Sequence, residues 1–254
     1  MSHISFSELK NWDKCPFYHK LIHKDKIKLF KGNEYTAFGT SIHSTLEKVV
    51  LNEKVDYISY FKEHFAKMLF ELEIQLDSNN RMFEQGSELI GLAKNELREY
   101  FGEYEVFSVE EPLMENIGSL EKSQEDYKFK GYIDLVLKTK DGKYHIIDWK
   151  TCSWGWDSRK KSDRMVVYQL ILYKNYFSKK HNISPDDINV YFGLLKRTAK
   201  SNKIEIFKTT SGDKRTDNAI NFLNKALYNI SKENHIKNRL ACTYCEFYKT
   251  EHCK

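Results

Sequence analysis

The chain has 254 residues, 41% of them hydrophobic and 14% aromatic, which is ample for a buried core and too apolar for a disordered polyelectrolyte. Its 41 basic residues are nearly offset by 36 acidic ones, so the net charge of +5 permits a polyanionic partner without demanding one. Residues 1–15 hold no apolar leader core and no window nears the ~20 apolar residues of a membrane span, so an intracellular protein without a membrane anchor is expected.

In chain order, Ser5 followed by Glu8 has the form of a capping box opening a short helix through Trp12. Residues 35–51 carry Phe38, Ile42, Leu46, Val49 and Val50 at helical spacing. Two more amphipathic helices, rich in Glu and Lys, are expected over 57–76 and 82–101. The period then changes. Strands are expected over 103–114 and 127–138, followed by a hairpin turn at Asp141-Gly142 and a strand over 144–148. A helix over about 163–178, a strand over 189–195, a shorter strand over 203–208 and a helix over 213–232 complete the chain. That order predicts an α/β (α+β) fold, a mixed central sheet flanked by helices with a helical N-terminal region. No linker divides it. One domain is expected over 1–254: a helical region 1–102, a core 103–210, and a C-terminal helix with a cysteine cluster 211–254.

Within the strands, Asp134 interrupts the apolar run Tyr132-Ile133-Asp134-Leu135-Val136, and Asp148 and Lys150 stand two apart, on one face of the next strand. The intervening turn makes the two strands antiparallel and brings Asp134 toward Asp148. Converging carboxylates repel unless a proton or cation is shared, and a hard divalent ion such as Mg²⁺ or Mn²⁺ is the natural resolution. An ion there can activate water and neutralise charge at phosphorus, with Lys150 orienting the water or stabilising developing charge.

With these residues in place, the chain resembles the PD-(D/E)XK nuclease superfamily, whose fold is restriction-endonuclease-like, and within it the RecB-like branch that includes AddB and CRISPR-associated iron–sulfur nucleases. Gly39-Thr40-Ser41-Ile42-His43 is similar to the branch's G-x-x-x-H element, Gly131 to Asp134 to its G-x-x-D strand, Asp148-Trp149-Lys150-Thr151 to its D-x-K-T strand, and Gln169 to Tyr173 to its Q-x-x-x-Y helix. The resemblance implies that His43 joins Asp134 and Asp148 as a metal ligand, and that Gln169 and Tyr173 sit on the DNA side of the site. It also implies a glutamate on the preceding strand. Glu110 and Glu111 both qualify, and Glu110 is favoured by its position relative to Pro112 and Leu113.

Of five cysteines, Cys242, Cys245 and Cys253 crowd the C-terminus with metal-ligand spacing, and Cys15 lies near the N-terminus. Together they could close a four-thiolate site that staples the two ends. The resemblance implies a [4Fe-4S] cluster there; Zn²⁺ is the alternative for four thiolates. Cys152 has no partner in the pattern.

The expected activity is metal-dependent DNA cleavage, as an exonuclease or end-processing enzyme acting on single strands or duplex ends in recombination, repair, phage replication or CRISPR adaptation. No helicase motif is present, so the protein is expected to be either a free-standing nuclease or a subunit that works beside a separate helicase or recombination protein. A non-catalytic DNA-binding or scaffolding module that keeps fold and cluster is the rival. Three basic runs are candidates for tracking phosphates: Lys20 to Lys31; Arg159, Lys160, Lys161 and Arg164; and Lys196, Arg197, Lys200 and Lys203. Trp154 and Trp156 could stack on bases or simply cover a packed loop.

Overall fold

A computed structural model describes residues 2–77, 80–118 and 127–254. Strand β1 (Ser2–Ser5) leads into α1 (Phe6–Lys14), a short α2 (Pro16–His19) and a π-helical turn (Lys20–Lys24). Three longer helices follow, α3 (Glu34–Val50), α4 (Tyr57–Glu71) and α5 (Met82–Phe101). Strands β2 (Tyr104–Gly118), β3 (Tyr127–Thr139) and β4 (Tyr144–Cys152) come next. Then come α6 (Ser158–Lys161), α7 (Arg164–His181), β5 (Ile188–Lys196), β6 (Ile204–Thr209) and α8 (Asp213–Ser231). Two short 3₁₀ segments complete the chain: Pro185–Asp187 precedes β5, and Arg239–Tyr244 opens the cysteine-rich end with Cys242 inside it.

Side-chain caps set the starts of α1, α3, α4, α6 and α7. Ser5 Oγ accepts from Glu8 N at 3.1 Å, as the sequence predicts, but the Glu8 carboxylate turns away to His19 instead of closing the box. Asn33 and Thr36 close a reciprocal box at the start of α3. Helix α4 ends five residues short of the expected 76, because Glu73 takes a left-handed φ of +57° just past its last turn.

The sheet is mixed, ordered β1-β3-β4-β5-β6 with β2 on the far side of β3. β1–β3 and β4–β5 are parallel; β2–β3, β3–β4 and β5–β6 are antiparallel. β1 was not legible in the sequence: four residues, of which Ile4 is the buried one, carry too little pattern. Since β2 runs along one edge of β3, β1 and β4 share the other. β1 covers Tyr127 to Lys130 and β4 covers Leu135 to Lys138, which leaves Gly131 to Asp134 at a fork between them.

Helices cover both faces. One core joins α1, α7 and α8 to the sheet through Leu9, Leu170, Phe177, Leu223, Phe129 and Ile146; the other joins α3, α4 and α5 through Phe38, Phe61, Leu89, Leu135 and Ile147. Successive residues Ile146 and Ile147 therefore feed opposite cores, as expected of a strand buried on both sides. No helix of the described residues is long and apolar enough to cross a membrane.

Candidate active site

The fork places the carboxylates. Register sets Asp134 opposite Asp148, but the ladder stops there: the Asp134 side chain takes the place of a backbone acceptor, its Oδ2 accepting from Trp149 N at 2.7 Å. Helix α3 lays His43 over this point, with Nδ1 at 3.4 Å from Asp134 Oδ2. From the other edge, Glu110 of β2 joins them. Its φ of +45° is a left-handed conformation within a strand, and such a non-glycine residue costs about 1–2 kcal/mol. Ligand atoms of His43, Glu110 and Asp134 all lie within 4.8 Å of one another, a group that could hold a metal ion. Glu111 points the other way, into an ion pair with Lys180 and a contact with His181, both at 2.7 Å.

Asp148, expected among the same ligands, falls outside that trio. Its side chain is nearly sealed from solvent; Oδ1 accepts from Gln169 Nε2 at 2.8 Å and Lys150 Nζ lies 2.6 Å from Oδ2. The lysine contact lacks hydrogen-bond alignment and leaves Oδ2 an unsatisfied buried acceptor. Gln169 also reaches the Tyr173 hydroxyl at 3.3 Å. The expected one-turn spacing of Gln169 and Tyr173 thus puts both at the fork.

Gly131 is required by this packing. A Cβ there would sit 2.8 Å from Tyr173 Cε1, so a side chain would displace the ring. Gly193 plays the same part behind the site, where an added Cβ would lie 2.3 Å from the Trp149 ring. Nothing in the sequence pattern marked the Trp149 amide or Gly193 as site-forming, because a backbone donor and a close approach leave no composition signal.

Electrostatics follow from burial. Burial alone would raise Asp134, but the attraction of His43, then of Lys150, and the Trp149 N–H outweigh it and hold the carboxyl below its usual range. Asp148 goes the other way: burial, only partly offset by Lys150 and reinforced by Asp134, pushes it up to about 6. Glu110 is raised by burial and by the charge of Asp134. Burial would lower both His43 and Lys150, yet the carboxylates beside them hold each above its ordinary value. Three carboxyl groups thus compete for cationic charge, the donors are hard oxygens plus one imidazole, and one buried carboxylate oxygen lacks a hydrogen bond. The residues present fit a hard divalent cation.

Six of the thirteen basic residues in the three runs meet an acid within the fold. Lys20 meets Asp25, Lys24 meets Glu233, Lys161 meets Glu205 and Arg164 meets Asp13. In the third run Lys196 meets Glu205 and Lys203 meets Glu88, while Arg197 bonds Gln85. Trp156 packs on Phe192 as a loop cover, and Trp154 is 75% exposed.

Cys15, Cys242, Cys245 and Cys253 line one small cavity between the first helices and the C-terminal segment. Asn238 N donates to Cys15 Sγ at 3.2 Å and Asn238 Nδ2 to Lys14 O at 2.9 Å, so the two ends are stitched together. Cys152 packs against the first core instead.

Comparison with known proteins bears on the fold and the family. A crystal structure of a protein from Eubacterium rectale provisionally called an exonuclease superposes over 96% of this chain and 86% of its own, with a TM-score of 0.61 at 15% identity. A second solved structure, that of SSO0001, covers 84% of this chain and 92% of its own at 15% identity, but its TM-score of 0.41 is too low to carry argument. No curated protein matches the chain. The family model of the PD-(D/E)XK nuclease superfamily matches residues 3–250, nearly the whole length, and the chain belongs to that superfamily.

Proposed function

We propose that this protein is a divalent-metal-dependent DNA nuclease of the RecB-like branch, acting as an exonuclease or on DNA ends. The observation that carries the reading is the convergence of His43, Glu110 and Asp134 beside the Asp148–Lys150 pair. Those three, with Asp148 alongside, would hold Mg²⁺ or Mn²⁺, which when bound supplies Lewis acidity toward a phosphoryl oxygen and a more acidic water. Lys150 keeps its charge where negative charge develops on phosphate. Gln169 fixes one oxygen of Asp148 and leaves the other turned to Lys150. Tyr173, its hydroxyl kept protonated by burial and by the nearby Asp148, is a donor toward substrate.

The spacing of the cysteines and the cavity they share support a second, non-catalytic centre, although among the described residues no three of their sulfurs lie within 4.8 Å of one another. Cys15, Cys242, Cys245 and Cys253 would hold a [4Fe-4S] cluster, with Zn²⁺ as the alternative. A role in recombination, repair, phage replication or CRISPR adaptation, beside a separate helicase or recombination protein inside the cell, follows from the RecB-like reading.

The test is cleavage of end-labelled DNA with Mg²⁺, Mn²⁺ or EDTA. Asp134→Ala and Lys150→Ala should each slow cutting by about 10²-fold or more while the protein still unfolds in a cooperative transition above the assay temperature. Equal rates in parent and variants would discard the site. Binding of DNA with no turnover in any metal would favour a scaffolding module instead.

A further inference from the structure

Beside the fork lies a cleft of about 650 Å³ whose floor is the outward face of β1 and β3. Along β3 the residues alternate: Tyr127, Phe129, Gly131 and Ile133 are buried, while Lys130, Tyr132 and Asp134 are the successive outward positions. His3 of β1 and Lys26, just beyond the π-helical turn, complete the wall, and Tyr173 enters it through the gap left by Gly131. Among the described residues no acid forms an ion pair with Lys26 or Lys130, although neighbours of Lys26 in the same run, Lys20 and Lys24, are each neutralised; His3 lies within electrostatic reach of Glu8. The carboxylate on the wall, Glu8, is already engaged by His19 at 2.8 Å and His23 at 4.0 Å. Tyr132 is 50% exposed between these cations and the carboxylates.

We propose that this cleft is a single-stranded nucleic-acid subsite in which Tyr132 stacks on a base and Lys130, Lys26 and His3 hold backbone phosphate. The inference rests on the nuclease reading for its direction, since the strand would run from the carboxylates across Tyr132 to Lys130. Four residues of β3 at about 3.3 Å each set Lys130 ~13 Å from Asp134, roughly two nucleotides of an extended strand. The chemistry selects a single strand over a duplex. A half-exposed ring offers a stacking surface to an unpaired base, whereas the base faces of a duplex are already covered by their neighbours. Lysines on a loop and a strand, free of acids, supply the non-specific phosphate contacts. The sequence alone does not single out Lys130 and Tyr132, because the cleft exists only once β1 and Lys26 are folded alongside β3.

The test is fluorescence anisotropy with an oligo-thymidylate of about 20 nucleotides in EDTA, where no cleavage occurs, across a range of salt. Lys130→Ala combined with Lys26→Ala should weaken binding about 10-fold and flatten the salt dependence by roughly 1.4 in log–log slope, two phosphates at 0.7 each. Tyr132→Ala should weaken binding about 5-fold or more with the slope unchanged, because stacking releases no counterions. Lys130→Arg should restore most of the binding. Blunt duplex of the same length should lose far less than the single strand in all variants. Unchanged single-strand affinity and slope in the double lysine variant, equal losses on duplex, or no single-strand binding by the parent protein would each overturn the subsite. Because the assay needs no divalent ion, its result is independent of cleavage: a parent that cuts but fails this pattern loses only the subsite, and one that shows the pattern but never cuts loses only the catalytic reading.

Discussion

Glu110 and Glu111 are neighbours in sequence with opposite fates, and the difference is written in one backbone angle. The left-handed turn at Glu110 aims its carboxylate at His43 and Asp134, while Glu111 falls on the α7 face between Lys180 and His181. Glu110→Gln should therefore cost cleavage about 10²-fold or more and leave the melting temperature within a degree or two, since it removes a repulsive charge. Glu111→Gln should do the reverse, costing about 1–3 kcal/mol by leaving Lys180 half-satisfied. That is roughly 2–4 °C in Tm per kcal/mol for a chain of this size. A pH series separates the two further. Burial would raise Glu111, but Lys180, His181 and Ser108 outweigh it and hold its carboxyl below the ordinary 4.5. A carboxyl depressed by folding stabilises above its unfolded pKa and loses that stabilisation as pH falls through the folded value. The gap in Tm between parent and Glu111→Gln should thus be full at neutral pH and close below 4.5. A gap that persists unchanged into stronger acid would mean that the pair does not stabilise the fold through its charge.

At the scale of elements, the site depends on where β3 loses one neighbour and gains another. Much of this was legible. An Asp inside an apolar β run, a turn at Asp141-Gly142 and an Asp two before a Lys locate β3, β4 and the carboxylates, because alternation and turn chemistry are local. The fork was not legible, since it needs β1, a four-residue strand whose pairing with β3 spans most of the N-terminal half of the chain. Nor could the basic runs be sorted. Their acids, Glu233 for Lys24, Glu205 for Lys161 and Asp13 for Arg164, are remote in sequence and meet them only after folding. The packing behind the fork can be tested with two glycines of opposite expectation. Gly193→Ala drives a methyl into the Trp149 ring, whose own amide holds Asp134, so overpacking should cost about 1–3 kcal/mol and slow cleavage as well. Gly91→Ala, on α5 with nothing within 4 Å, should stabilise by up to about 1 kcal/mol through helix propensity alone. Equal Tm values for these two variants would show that Trp149 is not clamped between β4 and β5.

For the whole molecule, the question is what holds together ends that lie more than two hundred residues apart. Ser2–Ser5 is tied into the sheet by β3, but the cysteine-rich tail after α8 buries little: Ile236, Leu240 and Tyr244 are 72%, 93% and 90% exposed. Its order comes from a few hydrogen bonds to the first helices, such as Asn238 to Lys14 and Tyr18 to Glu246, and from Phe247, which is fully buried. A bound metal centre on Cys15, Cys242, Cys245 and Cys253 would join the two ends across this gap and convert ligand affinity into folding free energy. Anaerobically purified protein should then carry iron and a broad absorption band near roughly 400 nm; zinc in place of iron would give no band. Cys15→Ser should remove the metal and lower the melting temperature by several degrees, since the tie closes nearly the full length of the chain. Cys152→Ser, packed in the first core away from the cavity, should keep the metal. The carboxylates sit on β2, β3 and β4, held by α3 and α7 rather than by the tail, so residual cleavage by Cys15→Ser should track the fraction still folded. Parent protein that carries neither iron nor zinc, and melts with Cys15→Ser, would leave the tail held by its hydrogen bonds and Phe247 alone.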